Sequence, residues 1–137
     1  VRGIETVTPA LSGSKGSVVI ISTTTAIENG PGAGAYGAMK AALMNLSSSK
    51  AQELAPQGVN CNVVSPGPIY IEGGAWNYIK DNMEDFYKAT LSAIPAGRMG
   101  AAQDVANAVV FLGSPAASYI TGTNVVVDGG FTKGVHF

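Results

Sequence analysis

The sequence contains one cysteine, Cys61, and one histidine, His136. A single thiol excludes an internal disulfide, and one Cys with one His is too few for a zinc site, so no metal is expected. Charge is also scarce. Asp, Glu, Lys and Arg make up 12% of the 137 residues, with a formal net charge of −1. Roughly 25% is usual for a soluble domain. A near-neutral chain offers no electrostatic case for nucleic acid or an anionic membrane as partner. No apolar run approaches the roughly 20 residues of a membrane-spanning helix. The lone thiol agrees with a reducing compartment, and a cytoplasmic location is expected. The first residue is Val1 rather than Met, which suggests a fragment or a processed chain.

What is present is apolar: 46% of the residues are hydrophobic. The length fits one domain with a real core, and the low charge suggests that other chain or other subunits cover much of the surface. Ser17-Val18-Val19-Ile20-Ile21 reads as a buried strand, about Ser17 to Ser22, ending in the hydroxyls of Ser22, Thr23, Thr24 and Thr25. A second strand spans about Asn60 to Val64 and is closed by Pro66-Gly67-Pro68. A third, about Asn124 to Val127, is closed by Asp128-Gly129-Gly130. Cys61, inside the second strand, reads as a small buried hydrophobe. Helices are expected from Arg2 to Leu11, Ala35 to Leu54, near Met83 to Ser92 and from Ala102 to Leu112. The last lacks a good cap residue at Ala101 or Ala102, at a cost of about 1 kcal/mol. Ser12-Gly13-Ser14-Lys15-Gly16 reads as a turn cluster. The many Ala and Ser of the long second helix predict close packing on two sides.

Two side chains carry chemistry. Tyr36 and Lys40 stand four residues apart at the start of that helix, so they share a face. An ammonium beside a phenol favours the phenolate, which suits a group that gives and takes a proton at a carbonyl or alcohol oxygen. Thirteen residues before Tyr36 stands Thr23, with Ser22 just before it. Alternation along a strand points these two hydroxyls to opposite faces. Thr23 is favoured by spacing, with Ser22 as the alternative, and a local backbone-bonding role is the plain reading of Thr23.

Together Gly16–Thr23, Tyr36–Leu43, Asn62–Gly67, Gly97-Arg98-Met99-Gly100 and Ile120–Gly130 resemble the short-chain dehydrogenase/reductase family in its single-domain form, in family order. The resemblance implies an α/β fold: the C-terminal half of a doubly wound parallel-sheet (Rossmann) domain over 1–137, with a substrate lid at 69–97. It implies an oxidoreductase using NAD or NADP to interconvert a small-molecule carbonyl and an alcohol. Tyr36 would be the acid/base, Lys40 would bind the nicotinamide ribose, and Thr23, where the family usually has serine, would be the third catalytic residue and touch substrate. Pro66, Gly67 and the Ile69 backbone would face the nicotinamide. Tyr70, Trp76 and Tyr78 would line the substrate pocket, although Trp76 suits core packing at least as well. Ile71 stands where the family often places threonine, and it has no donor. Arg98 is given a structural role, Asp128 a turn near a subunit contact, and His136 a solvated or interface position. A homo-oligomer is expected. The Gly-rich turn that seats a pyrophosphate is missing, as is an acidic residue for the adenosine ribose. Gly30-Pro31-Gly32-Ala33-Gly34 reads instead as the loop entering the Tyr36 helix. The isolated chain is therefore expected to be inactive. The alternatives are a non-catalytic truncated module that acts in oligomer assembly and, more remotely, a sugar-nucleotide epimerase.

Overall fold

A computed structural model describes residues 1–30 and 34–134. His136, and Pro31 to Ala33 of the glycine-bearing loop, lie outside them. The chain runs α1 (Arg2–Ser14), β1 (Ser17–Ile21), α2 (Gly34–Leu54), β2 (Asn60–Pro66), β3 (Ile69–Tyr70), α3 (Ala75–Asn82), α4 (Glu84–Ala93), β4 (Gly100–Ala101), α5 (Ala102–Leu112) and β5 (Asn124–Val127). Strands β1, β2 and β5 form a parallel sheet with β2 in the centre. Val18 pairs with Cys61, and Val64 with Val125.

Period-two alternation divides the apolar side chains between two faces. On one, Cys61 packs with Ala51 and Leu54 of α2 and Val59, against Val18 and Ile20 of β1 and Ile4 and Leu11 of α1. On the other, Val64 packs with Leu112 and Ala117, against Val19, Val105 and Val125. Helices therefore cover both faces of a parallel sheet, as the sequence predicts. The polar residues of β2 are buried but satisfied: Asn62 Nδ2 donates to the Ile120 carbonyl at 2.7 Å, and Ser65 Oγ to Asn124 Oδ1 at 2.7 Å. Lys50, 9% exposed, keeps its ammonium 2.7 Å from Glu53 and 4.0 Å from Glu5, joining α2 to α1.

Three expectations need correction. The Ser12–Gly16 turn is mostly helix: α1 continues to Ser14, whose Oγ bonds the Ala10 and Leu11 carbonyls. Lys15 and Gly16 leave the helix, and the left-handed conformation of Lys15, at φ 50°, closes the C-terminus. The 69–97 segment holds two helices rather than one, α3 and α4, separated at Met83. It also carries β3, which pairs in parallel with β4. The start of α5 is better held than its sequence suggests. Asp104 Oδ2 accepts the Ala101 N–H at 2.7 Å, and its two oxygens receive Arg98 Nη1 and Nη2 at 2.7 and 3.0 Å.

That arrangement predicts an acid-sensitive joint. The Arg98 side chain, with help from the Ala101 N–H, lowers the Asp104 carboxyl to about 2. A carboxylate whose folded value is depressed stabilises the fold above its unfolded value and loses that contribution as pH falls through the folded one. Backbone amide exchange in the first turn of α5 should accelerate as pH falls from about 4 to about 2, relative to α2. Asp104→Asn should remove this pH dependence; unchanged relative exchange across that window would detach Asp104 from the helix start.

Candidate functional site

Ligands of open parallel sheets bind outside the carboxyl ends of the strands. Here a cavity of about 710 Å³ lies at that edge, between the ends of β1 and β2 and the start of α2. Thr23, Tyr36, Lys40, Pro66, Gly67, Ile69 and Trp76 all line it. Seven of the nine residues assigned to the site from sequence thus converge on one space; Tyr78 on α3, 65% exposed, stays outside it. Tyr70 does not join them. It follows Ile69 on β3 and so turns to the opposite side, where Lys80 Nζ lies 5.5 Å from its ring centroid.

On α2, Tyr36 is 57% exposed, and Lys40 Nζ sits 5.8 Å from its ring centroid. Lys40 Nζ also donates to the Ile21 carbonyl at 2.9 Å. The end of β1 therefore holds the ammonium beside the phenol.

The two hydroxyls have different partners. Ser22 is buried, and its Oγ donates to the Lys40 carbonyl at 3.1 Å, bolting the strand end to α2. Thr23 Oγ1 accepts from the Thr25 N–H and the Thr25 hydroxyl, each at 3.3 Å, and caps a helical turn over Thr24–Ala26. A hydroxyl that accepts twice still has its proton to donate.

Gly67 has a packing reason for lacking a side chain. A Cβ there would lie 2.5 Å from Asp128 Cβ and 2.9 Å from Asp128 Cα, just past the end of β5. The Gly67 N–H is meanwhile fixed to the Val127 carbonyl at 3.0 Å. Gly67→Ala should destabilise the fold by about 1–3 kcal/mol through overpacking. Chemical denaturation measures this, and a loss below about 0.5 kcal/mol would mean that β5 yields freely.

The β3–β4 ladder orients Ile69. Gly100 pairs with Ile69, and the Gly100 N–H donates to the Pro68 carbonyl at 2.9 Å. In a parallel ladder the residues flanking Ile69 then carry the bonds, and its own N–H and C=O point away from β4.

Sequence reasoning missed Phe131, Val105, Ala102 and Ala75, which also line the cavity. Phe131 follows Gly129-Gly130, read from sequence only as a structural turn. The Asp128 carboxylate shapes that turn, accepting from the Gly130 N–H at 2.9 Å and from the Thr132 N–H and hydroxyl at 2.8 and 2.7 Å. Burial pushes the Asp128 carboxyl up, but the bonds from Thr132, Gly130 and Phe131 together hold it below its ordinary value.

Comparison with known proteins identifies the family and the fold. The family described as enoyl-(acyl carrier protein) reductase matches residues 1–132. The chain is 40% identical over 124 residues to 2,3-dihydro-2,3-dihydroxybenzoate dehydrogenase of Escherichia coli, covering 87% of this chain and 50% of that one. This chain belongs to the short-chain dehydrogenase/reductase family. It is also 43% identical over 103 residues to isoepoxydon dehydrogenase of Aspergillus clavatus, covering 75% of this chain and 40% of that protein. Among solved structures, an NADPH-bound short-chain oxidoreductase of Pseudomonas aeruginosa with an atypical catalytic centre superimposes with a TM-score of 0.84 at 28% identity. The match covers 96% of this chain and 52% of that one. A short-chain dehydrogenase/reductase of Mycobacterium ulcerans gives 0.84 at 33% identity, over 93% of this chain and 46% of the other. This short-chain dehydrogenase/reductase chain spans about half the length of the curated relatives it matches. No helix among the described residues is long and apolar enough to cross a membrane, and no cluster of His, Cys, Asp and Glu among them could hold a metal ion.

Proposed function

We propose that this chain carries the proton-transfer centre of an NAD- or NADP-dependent oxidoreductase that interconverts a carbonyl and an alcohol. The observation that carries this reading is the convergence of Thr23, Tyr36 and Lys40 on one cavity at the strand ends. The donor set suits the nicotinamide end of such a cofactor: Lys40 is the only charged side chain among the described lining residues, Gly67 brings bare backbone to the wall, and the Ile69 amide groups are turned from β4. Bound there, the cofactor would supply or take up hydride.

The protein handles the proton. The Tyr36 hydroxyl protonates the oxygen of the reduced carbonyl, or removes that proton in the oxidative direction. Lys40, its ammonium 5.8 Å from the Tyr36 ring centroid, would bind the ribose hydroxyls in this reading. Thr23, with its hydroxyl proton available, donates to the substrate oxygen and fixes its direction. Trp76 and its apolar neighbours shield the reacting atoms from water.

Carbonyl-dependent oxidation of NADH or NADPH by this chain joined to a pyrophosphate-binding half tests the assignment; absence of turnover with either cofactor across a range of ketones and aldehydes in that longer protein would overturn it. Thr23→Val should lower kcat/KM by roughly 10- to 100-fold, the worth of one hydrogen bond to a developing charge, and Thr23→Ser should restore most of it. Equal rates in Thr23→Val and the native protein would remove this hydroxyl from the mechanism.

The chain alone is proposed to be inactive, since no Gly-rich pyrophosphate turn accompanies the nicotinamide-facing groups; micromolar NADH binding by the isolated chain would refute this. A homo-oligomer is proposed from the apolar side chains left exposed on α2 and α5, Met39 and Val110 at 71% each and Phe111 at 47%. A cytoplasmic setting remains part of the same proposal, on the grounds of the single, reduced thiol.

A further inference from the structure

Phe131 reaches the cavity from the far end of the chain, and carboxylates hold the backbone on both sides of it. Asp128 accepts from the N–H groups of Gly130 and Thr132. Glu28, in the loop after β1, accepts from the N–H groups of Lys133 and Gly134 through one oxygen, at 2.7 Å each. Hydrogen bonds from backbone N–H to a carboxylate are charge-assisted and among the stronger ones. The tail is therefore pinned to its own strand end and to the loop that follows Thr23.

We propose that Phe131 is a specificity-determining residue of this cavity, that Glu28 is the positioning residue that sets it, and that the cavity takes an uncharged, apolar cyclic ketone or the corresponding alcohol. The inference rests on the proposed function for the placing of the carbonyl end. Beyond Tyr36 and Lys40, the lining includes Trp76, Phe131, Val105, Ile69 and Ile71. No carboxylate and no second cation stands among the described lining residues, so a charged substituent on the remote side of the substrate would be desolvated without a partner. Aromatic side chains fit a flat or cyclic ligand and contribute large apolar area.

Trp76 is the only tryptophan of this sequence and lines the cavity, so its fluorescence reports occupancy without turnover. The native protein is titrated with 4-tert-butylcyclohexanone and with 4-oxocyclohexanecarboxylate, with Trp76→Phe as the signal control. The neutral ketone should bind at least tenfold more tightly; equal or tighter binding of the carboxylate overturns the substrate class. Phe131→Ala should weaken the neutral ketone about tenfold, and Phe131→Leu should recover much of that loss. Glu28→Ala should weaken it several-fold in the native background and not at all in Phe131→Ala, because it acts only through that ring. Undiminished binding in Phe131→Ala, or a full additional loss from Glu28→Ala on top of it, overturns the assignment. Tight ketone binding that depends on Phe131, without reduction by either nicotinamide cofactor, would support this inference while refuting the proposed function.

Discussion

Replacing Tyr36 by phenylalanine should lower the rate of carbonyl reduction by about 10²- to 10⁴-fold while leaving cofactor affinity nearly unchanged. The substitution removes one oxygen and its proton. The ring remains on the outer face of α2, 5.8 Å from Lys40 Nζ, and the bond from Lys40 to the Ile21 carbonyl does not depend on the phenol. The groups proposed to face the nicotinamide (Pro66, Gly67, Ile69) stand on other elements and are undisturbed. A loss confined to kcat is the signature of an interaction made at the reacting atoms. Pre-steady-state reduction and a cofactor titration on the native protein separate the two quantities. Turnover retained within about threefold would remove Tyr36 from the proton path; a parallel collapse of cofactor affinity would assign it to binding instead.

The largest expected loss of stability comes from Leu54→Ala. Leu54 ends α2, is 1% exposed, and packs with Ala51, Val59 and Cys61 against side chains from α1 and β1. Truncation removes the transfer energy of the missing carbons and leaves a void that helix and sheet close only in part, at about 2–5 kcal/mol. Domains of this kind are stable by about 5–15 kcal/mol in total, so the midpoint of urea unfolding should fall markedly. Leu54→Met, close in volume, should cost less than about 1.5 kcal/mol. A loss below about 1 kcal/mol for alanine would mean that this cluster is loosely filled.

Much of the architecture could be read from residue order because the signals were local. The β-branched run at Ser17–Ile21 and the Val125–Val127 run have the period and the glycine or hydroxyl boundaries of buried strands, and the structure places both beside Asn60–Pro66. Helix α5 matches its predicted span, Ala102–Leu112, from apolar spacing alone. Part of what could not be read depends on contacts between distant segments, and part on side chains that bond back within their own helix. The two-residue strands β3 and β4 exist only because Ile69 meets Gly100, and no periodicity can show in two residues. That same pairing decides that Ile69 enters the cavity while Tyr70 turns away. Ser12 and Ser14 look like turn formers, but their helix continues, with Ser14 bonding back to Ala10. Asp104 was invisible as a helix-start group because it lies inside the helix and reaches back to Ala101. Phe131 gave no signal, since nothing near it in sequence reveals that the tail returns to the end of β1.

That return has a consequence for biogenesis. The bonds from Glu28 to Lys133 and Gly134 join residues 105 and 106 positions apart. During synthesis β1, α2 and β2 can dock while the stretch after β5 is still inside the ribosome, because their partners have already emerged. Among the described residues the Glu28 carboxylate bonds only the late-made Lys133 and Gly134, so the nascent chain acquires its scaffold well before the recess gains its last aromatic side. Contacts that span so much chain carry a large closure entropy and form late. A nascent product stalled just past β5 would therefore be folded but open on one flank.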